Sequence, residues 1–258
     1  TMRRFENRAI LITGAASGLG LGVAQRLAAE GGDVTIWDRD KLGLANATEQ
    51  GLGKGVVINT DAIDMTNGSA ITEAVDRLFK RTGRIDVLVN NIGGSLHTPF
   101  SFLEQTDEDW QRVIDVNVTA CVRVTRCILP HMVEARYGRI INMGSKAGRY
   151  GSLFAGANYG ASKGAMQALT LQLAQEFGPA GITCNTVCPG AILTPRVRKL
   201  LAERQSEEER AAVVGSIPVR RHGMIEDVAA AIAYLASSEA GFVTGTSLDV
   251  NGGQGMAI

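Results

Sequence analysis

The residues best suited to chemistry lie in the run Tyr159-Gly160-Ala161-Ser162-Lys163. It opens a helical stretch, so Tyr159 and Lys163, four positions apart, share one face. A free phenol ionises near pH ~10 and is a poor acid–base group at neutral pH. A neighbouring ammonium stabilises the tyrosinate and brings ionisation closer to neutrality. Such a pair is suited to donate and accept the proton of a carbonyl/alcohol couple. By itself, however, a Tyr and a Lys four apart on a helix are common and carry no chemistry, so the rest of the chain has to supply the context.

A second constellation lies near the N-terminus. The apolar run Ile10-Leu11-Ile12 leads into Thr13-Gly14-Ala15-Ala16-Ser17-Gly18-Leu19-Gly20, and a helical pattern follows at once. Glycines at 14, 18 and 20 leave no side chain to hold the backbone off a pyrophosphate. A helix N-terminus adds unpaired N–H groups and a partial positive charge. The spacing, G-x-x-x-G-x-G, differs from the G-x-G-x-x-G dinucleotide fingerprint. A glycine-rich turn alone also serves as a tight strand-to-helix turn that binds nothing. The next strand ends Trp37-Asp38-Arg39, with Asp38 about 20 residues beyond the glycines, as the acidic residue of dinucleotide folds lies. A carboxylate there accepts from ribose hydroxyls and repels a 2′-phosphate, which favours NAD over NADP. Arg39 works against that choice, and the alternative for Asp38 is a surface residue capping the next turn.

The elements that must position these residues alternate from end to end. Strand-like runs lie at Ala9–Thr13, Val34–Asp38, Val56–Asn59, Val87–Asn90, Arg139–Asn142, Ile182–Val187 and Ser247–Val250. Several are almost unbroken apolar runs, as strands covered on both faces are. Helical stretches lie between them, at about Gly18–Glu30, Ser69–Arg81, Glu108–Ala135, Tyr159–Phe177 and Ile225–Ser237. This alternation predicts an α/β fold, a doubly wound parallel sheet of seven strands with helices on both faces. Neither repeat nor linker interrupts it, so residues 1–258 read as a single domain. The segment about 191–218 departs from the beat and reads as short helices or a flap covering the substrate.

Composition narrows the function classes. The 258 residues carry 26 Lys+Arg against 26 Asp+Glu, without the basic excess that nucleic acid or an anionic membrane surface would select. No apolar run approaches the roughly 20 residues of a spanning helix. Residues 1–8 lack the apolar stretch of a signal peptide. Cys184 and Cys188, four steps apart on one strand, would stand roughly 13 Å apart, too far for a disulfide. None of the three histidines lies near a cysteine at metal-ligand spacing. The four cysteines therefore read as reduced core residues, no metal is expected, and the expected location is cytoplasmic.

Taken together, Thr13–Gly20, Asn90-Asn91-Ile92-Gly93, Asn117, Ser145, Tyr159-x-x-x-Lys163, Pro189-Gly190 with Thr194, and the tail Thr244-Gly245…Asn251-Gly252-Gly253 resemble the short-chain dehydrogenase/reductase family over nearly the whole chain. The resemblance implies a Rossmann-type fold and roles position by position. Tyr159 would be the general acid or base. Lys163 would assist it and bond the nicotinamide ribose. Ser145 would hold the substrate oxygen, and Asn117 would anchor a water leading from Lys163 to solvent. The cofactor would be lined by Gly14, Ser17, Gly18, Leu19, Gly20, Asp38, Arg39, Asn91, Ile92, Gly93, Tyr159, Lys163, Pro189, Gly190 and Ile192. Asp64 with Met65 would meet the adenine (Asp61, three residues away, competes for that role), and Thr194 would grip the carboxamide. The sequence departs from the family pattern at Ile92, usually Ala, and at Gly144, commonly a second Ser.

The resemblance also implies a substrate pocket built from Ser95, His97, Ser145, Arg149, Phe154, Tyr159 and Arg196. The basic residues among and beside these (Lys146, Arg149, Arg196, Arg198, Lys199) suit an anionic alcohol or ketone, or else are solvated surface charges. His97 suits a substrate hydroxyl or is a plain loop residue. The small and aliphatic residues of 108–135 and 159–177 fit close packing, either on the sheet or against another subunit of an implied homotetramer or dimer. The expected activity is NAD-dependent interconversion of a secondary alcohol and a ketone. One alternative is a 3-oxoacyl-carrier-protein reductase-like enzyme, which Asn158-Tyr159 and the tail resemble and Asp38 opposes, since such reductases mostly use NADPH. A non-catalytic dinucleotide-binding regulatory protein is an alternative of another class, opposed by the presence of Tyr159, Lys163 and Ser145.

Overall fold

The structure is a computed structural model in which the described residues are 2–152, 155–195, 197–198 and 206–256. Strands β1 (Ala9–Thr13), β2 (Asp33–Asp38), β3 (Ile58–Ala62), β4 (Val87–Asn90), β5 (Gly138–Met143), β6 (Ile182–Pro189) and β7 (Ser247–Val250) form one parallel sheet in the order β3-β2-β1-β4-β5-β6-β7. This is the expected doubly wound α/β fold, a single Rossmann-type domain. Every residue of β1, β4, β5 and β6 is buried, which is why these strands read as unbroken apolar runs. β3 lies at the sheet edge, buries only Ile58, and alternates half-buried with exposed positions from Asn59 to Ala62. Its apolar content therefore stops short of its true end, and it sits a few residues beyond the expected Val56–Asn59.

Helices cover both faces. Helix α1 (Gly18–Ala29), α2 (Lys41–Gly53) and α9 (Ile225–Ala236) close one core, in which Leu21, Val23, Leu27, Leu44, Val228 and Ile232 pack against Ile10, Ile12 and Ile36. Helices α3 (Gly68–Thr82), α5 (Ala120–Ala135) and α7 (Ala157–Phe177) close the other, with Ile71, Val75, Leu78, Val124, Ile128 and Met132 against Leu11, Leu88 and Ile140. The ends of α3 are marked in the sequence. The Asn67 side chain accepts from the N–H groups of Ser69 and Ala70, and Gly83 takes the left-handed conformation that ends the helix, φ 67.

Helix α2 is not expected from periodicity, because it buries only Leu44, Ala47 and Gly51. The expected helix at Glu108–Ala135 is two helices. Helix α4 (Asp107–Ile114) ends in a π turn over Asp115–Thr119, and α5 follows. The segment after Thr194 holds α8 (Glu207–Ser216), opened by reciprocal bonds between Ser206 and Glu209. All four cysteines are free, and Cys121, Cys184 and Cys188 are buried. Burial pushes the Cys121 and Cys188 thiols up to about 11 and Cys184 to about 12, so they are uncharged core groups at neutral pH.

Strand order reverses between β1 and β4. There the carboxyl ends of neighbouring strands diverge and leave a crevice, the place where parallel α/β sheets hold ligands. The expected site residues from Thr13, Asp38, Asn90, Ser145 and Pro189 onward all follow strands that end on this side.

Candidate active site and dinucleotide cleft

A cleft of about 880 Å³ opens at that reversal, lined among others by Gly14, Asp38, Arg39, Asp64, Thr66, Ile92, Gly93, Leu96 and His97. The β1–α1 turn forms its floor. Gly14 has φ 62, and a Cβ there would stand 2.7 Å from Ile92 Cα. A Cβ on Gly20 would stand 2.5 Å from Asn91 Nδ2 and 2.7 Å from Ala15 Cα. These two glycines therefore allow close packing within the protein. Gly18, φ 59, is the glycine whose open side meets nothing within 4 Å. Asn91 locks the turn by donating to the carbonyls of Thr13 (3.1 Å) and Gly14 (2.6 Å), while Thr13 Oγ1 accepts from the N–H groups of Asn91 and Ile92. Ser17 makes no side-chain cap and α1 has no acid in its first turn, so the helix N-terminus is open to an anion. These features fit a pyrophosphate.

Asp38 ends β2 with both carboxylate oxygens engaged by backbone N–H groups. Oδ2 accepts from Ala16 (3.1 Å) and Oδ1 from Asp40 (3.1 Å). The acid thus faces the glycine turn directly, and each oxygen keeps acceptor capacity for a ribose hydroxyl. Of the two competing aspartates, Asp64 lines the cleft, whereas Asp61 lies 3.9 Å from Arg77. Hydrogen bonds from the Thr66 side chain and backbone, with the charge of Arg39, hold the Asp64 carboxyl below its usual range. Met65 lines the cleft beside Asp64 while its buried side chain also packs into the core beneath.

At the other end of the cleft the loop after β4 brings Gly93 against two buried side chains. Gly93 has φ 143, and a Cβ there would stand 2.7 Å from Asn117 Oδ1 and 3.2 Å from Lys163 Nζ. Asn117 sits in the π turn with no exposure. Its Oδ1 accepts from Gly94 N (2.8 Å), and its Nδ2 donates to Gly94 O (3.1 Å) and Ser162 Oγ (2.8 Å). Both amide hydrogens are in use, so a water held by this side chain would have to donate to Oδ1. Ser162 in turn donates to Tyr159 O at 2.7 Å.

Lys163 is 4% exposed, donates to Met143 O at 2.7 Å, and places Nζ 5.9 Å from the centroid of the Tyr159 ring. Among the described residues it has no carboxylate partner. An ammonium buried this far without a counter-charge is costly to keep for structure alone. The short helix α6 (Ala147–Tyr150) is pressed against α7 at this point. A Cβ on Gly148 would stand 2.7 Å from Lys163 C and from Gly164 N. Gly160 and Gly164 thus face α6 of the same chain. Ser145, at the end of β5, accepts from Ala147 N at 3.1 Å, and among the described residues its own hydroxyl hydrogen has no acceptor. Gly144 replaces the common Ser because a Cβ would stand 2.6 Å from Thr186 Cγ2 and 2.7 Å from Cys188 Sγ.

The expected substrate residues fare unevenly. Arg149 is paired with Asp249 (3.2 Å) and with Tyr150 Oη, which itself donates to Asp249 at 2.7 Å. Its charge is met within the protein, and it is not an open receptor for a substrate anion. Ser95 O closes a turn with Thr98, and His97 lines the cleft. Phe154, Arg196 and Lys199 lie outside the described residues. On the far wall Gly190 fits against Asn251 and Gln254, where a Cβ would stand 2.8 and 2.7 Å from their atoms. Pro189 ends β6 in the core beside it, and Ile192 is buried. Thr194 Oγ1 accepts from Val197 N.

Sequence reasoning did not single out Thr98 or Gln105, and it used Asn158 only for a resemblance and Ser162 only as part of the run, with no role for either; all four are joined by hydrogen bonds to the elements around Tyr159. Asn158 and Ser162 stand inside or beside the Tyr159–Lys163 run, which was the available signal. Among the described residues no group of three or more His, Cys, Asp or Glu side chains is placed to hold a metal, and no helix is long and apolar enough to cross a membrane.

The fold and the cleft together define a dinucleotide-binding α/β protein. Comparison with known proteins narrows the class. A family model described as enoyl-(acyl carrier protein) reductase matches residues 14–254. The chain is 36% identical over 250 residues to 3-oxoacyl-[acyl-carrier-protein] reductase FabG of Thermotoga maritima, covering 97% of this chain and 98% of that one. It is 38% identical over 252 residues to 2,3-dihydroxy-2,3-dihydro-p-cumate dehydrogenase of Pseudomonas putida, covering 97% and 95%. A solved short-chain type dehydrogenase/reductase from Mycobacterium ulcerans superposes with a TM-score of 0.90 at 32% identity, over 97% of this chain and 90% of that one. The chain belongs to the short-chain dehydrogenase/reductase family of oxidoreductases, whose typical cofactor is a nicotinamide dinucleotide.

Proposed function

We propose that this protein is an NAD(H)-dependent dehydrogenase/reductase interconverting a secondary alcohol and a ketone. The observation that carries the reading is the buried ammonium of Lys163, without a carboxylate partner among the described residues, beside the half-buried Tyr159 ring. With a dinucleotide bound in the cleft, its nicotinamide would accept or supply the hydride. The chain's own part is proton traffic and positioning. Tyr159 takes the hydroxyl proton in oxidation and returns it in reduction. Lys163, with N–H groups left after its bond to Met143 O, stabilises negative charge on the phenol oxygen and bonds the ribose. Ser145 donates to the substrate oxygen and stabilises charge developing there. Asn117 holds the Gly93–Gly94 backbone against Lys163 and accepts from a water on the path to solvent. Ser17, Gly18 and Leu19 hold the pyrophosphate on a turn whose close packing Gly14 and Gly20 permit, Asp38 holds the adenosine ribose, Asp64 the adenine, and Thr194 the carboxamide.

Asp38, turned toward the glycine loop, supports NAD over NADP. The pairing of Arg149 with Asp249 favours an uncharged alcohol over an anionic one. A second reading, reduction of 3-oxoacyl thioesters, draws on the Thermotoga relative and on Asn158-Tyr159, and is opposed by Asp38. The deciding experiment measures nicotinamide absorbance with NAD and NADP over polyols, cyclic diols, hydroxy acids, steroids and 3-hydroxyacyl thioesters. It is run alongside Tyr159→Phe, which should lose turnover by about 10²–10⁴-fold while still binding NADH. Undiminished turnover in Tyr159→Phe would refute the assignment. We also propose a homotetramer or dimer, which light scattering measures directly.

A further inference from the structure

The cleft wall contains a strained turn. Leu96 and His97, consecutive and neither of them glycine, both take left-handed backbone, φ 52 and 59, and both line the cleft. Such residues persist only where the surroundings over-determine them. Here the surroundings lead to Tyr159. Thr98 closes the turn by donating from its N–H (3.1 Å) and from Oγ1 (3.0 Å) to Ser95 O. Thr98 is 5% exposed, and its Oγ1 accepts from Asn158 Nδ2 at 3.2 Å. Asn158 has no exposure and directly precedes Tyr159, whose N–H donates to Asn158 Oδ1 at 2.7 Å. A second tie runs parallel to the first. Asn158 N donates to Gln105 Oε1 at 3.3 Å, and Gln105 Nε2 donates to Pro99 O at 2.8 Å.

Buried polar side chains are tolerated when each is hydrogen-bonded, and a satisfied network makes a rigid junction. This one joins the loop after β4 to the first turn of α7. Among the described residues, none of its side chains hydrogen-bonds the phenol oxygen itself.

We propose that Asn158 and Thr98 are positioning residues: a buried strut that fixes the cleft turn Leu96–His97 relative to the N-terminus of α7 and thereby sets the orientation of Tyr159. The proposal rests on Tyr159 being the acid–base group, but the strut is testable without turnover. Thr98→Val removes the hydroxyl at nearly constant volume, and Thr98→Ser keeps it. The protein is labelled with ¹³C at tyrosine Cζ, and the Tyr159 resonance is assigned by its disappearance in Tyr159→Phe. In Thr98→Val the Tyr159 resonance should shift or broaden while those of the other tyrosines stay in place. The amides of residues 95–105 should exchange about tenfold faster, the change one lost buried hydrogen bond implies. Thr98→Ser should behave as the parent in both measurements. An unmoved Tyr159 resonance in Thr98→Val, or a Thr98→Ser variant as perturbed as Thr98→Val, would overturn the strut. If Tyr159→Phe retains turnover while Thr98→Val still moves the Tyr159 resonance, the acid–base reading fails and the strut stands.

Discussion

Replacing Lys163 with Met separates function from stability. Methionine keeps an unbranched side chain in the same channel and removes the charge. Two effects oppose each other in the folded protein. An ammonium only 4% exposed, with no carboxylate partner among the described residues, carries a desolvation cost, several kcal/mol for a buried ion. Against that, its bond to Met143 O at 2.7 Å is charge-assisted and contributes about 1.5–3 kcal/mol. The difference lies between about zero and a few kcal/mol in favour of the variant. For a domain of this size about 1 kcal/mol moves Tm by about 2–4 °C, so Tm of Lys163→Met should equal that of the parent or exceed it by up to about 10 °C. Turnover should fall by about 10²–10⁴-fold, because the phenol loses the charge that supports it. The assay is thermal unfolding without nucleotide beside initial rates on whichever alcohol the panel finds. A Tm lowered by more than about 5 °C, or turnover left intact, would show that Lys163 is retained for folding and not for proton transfer.

Other predictions follow from single contacts. Asp38→Ala should narrow the preference for NAD over NADP. Because the same carboxylate accepts from Ala16 N, it should also weaken NADH binding itself, measured by fluorescence titration; equal efficiency of the parent with both cofactors would count against Asp38 as the selector. Gly144→Ala should cost about 1–3 kcal/mol in urea unfolding, since its Cβ would press on Thr186 and Cys188, and adding Cys188→Ala should recover part of that loss. Glu30 governs part of the acid response. Burial would push its carboxyl up, but hydrogen bonds and charges from Arg4 and Arg26 outweigh it and hold it below the ordinary 4.5. A depressed carboxyl contributes stability that is fully present above about pH 4.5 and is lost as pH falls further, through the folded value. Glu30→Gln should therefore be less stable at neutral pH yet show a flatter Tm between pH ~5 and ~3.

Much of the fold is legible locally. Strands covered on both faces announce themselves as apolar runs, and α3 shows one buried stripe between an Asn cap and a left-handed Gly. Where burial is one-sided or slight, the signal fades. The edge strand β3 slides along the chain, and α2, with Leu42 and Leu52 exposed, gives no stripe. The π turn is invisible for a different reason. Val113, Asn117, Cys121 and Val124 keep helical spacing straight through it, so the widening of the backbone leaves the pattern unchanged.

The sequence by itself determined the repertoire: a phenol and an amine one helical turn apart, glycines at a strand-to-helix turn, an acid at the end of the second strand, and alternating elements that make a parallel sheet. Tertiary structure decided how these groups are used. It set Gly14 against Ile92 and Gly20 against Asn91, leaving Gly18 as the glycine open to a ligand. It paired Arg149 with Asp249 on the last strand, and bolted the turn before Thr98 to the residue preceding Tyr159. The reason is physical. Helical and strand periodicity depend on neighbours within a few residues, whereas charge compensation and close approach depend on which strands lie side by side, and that order is set only when the whole sheet assembles.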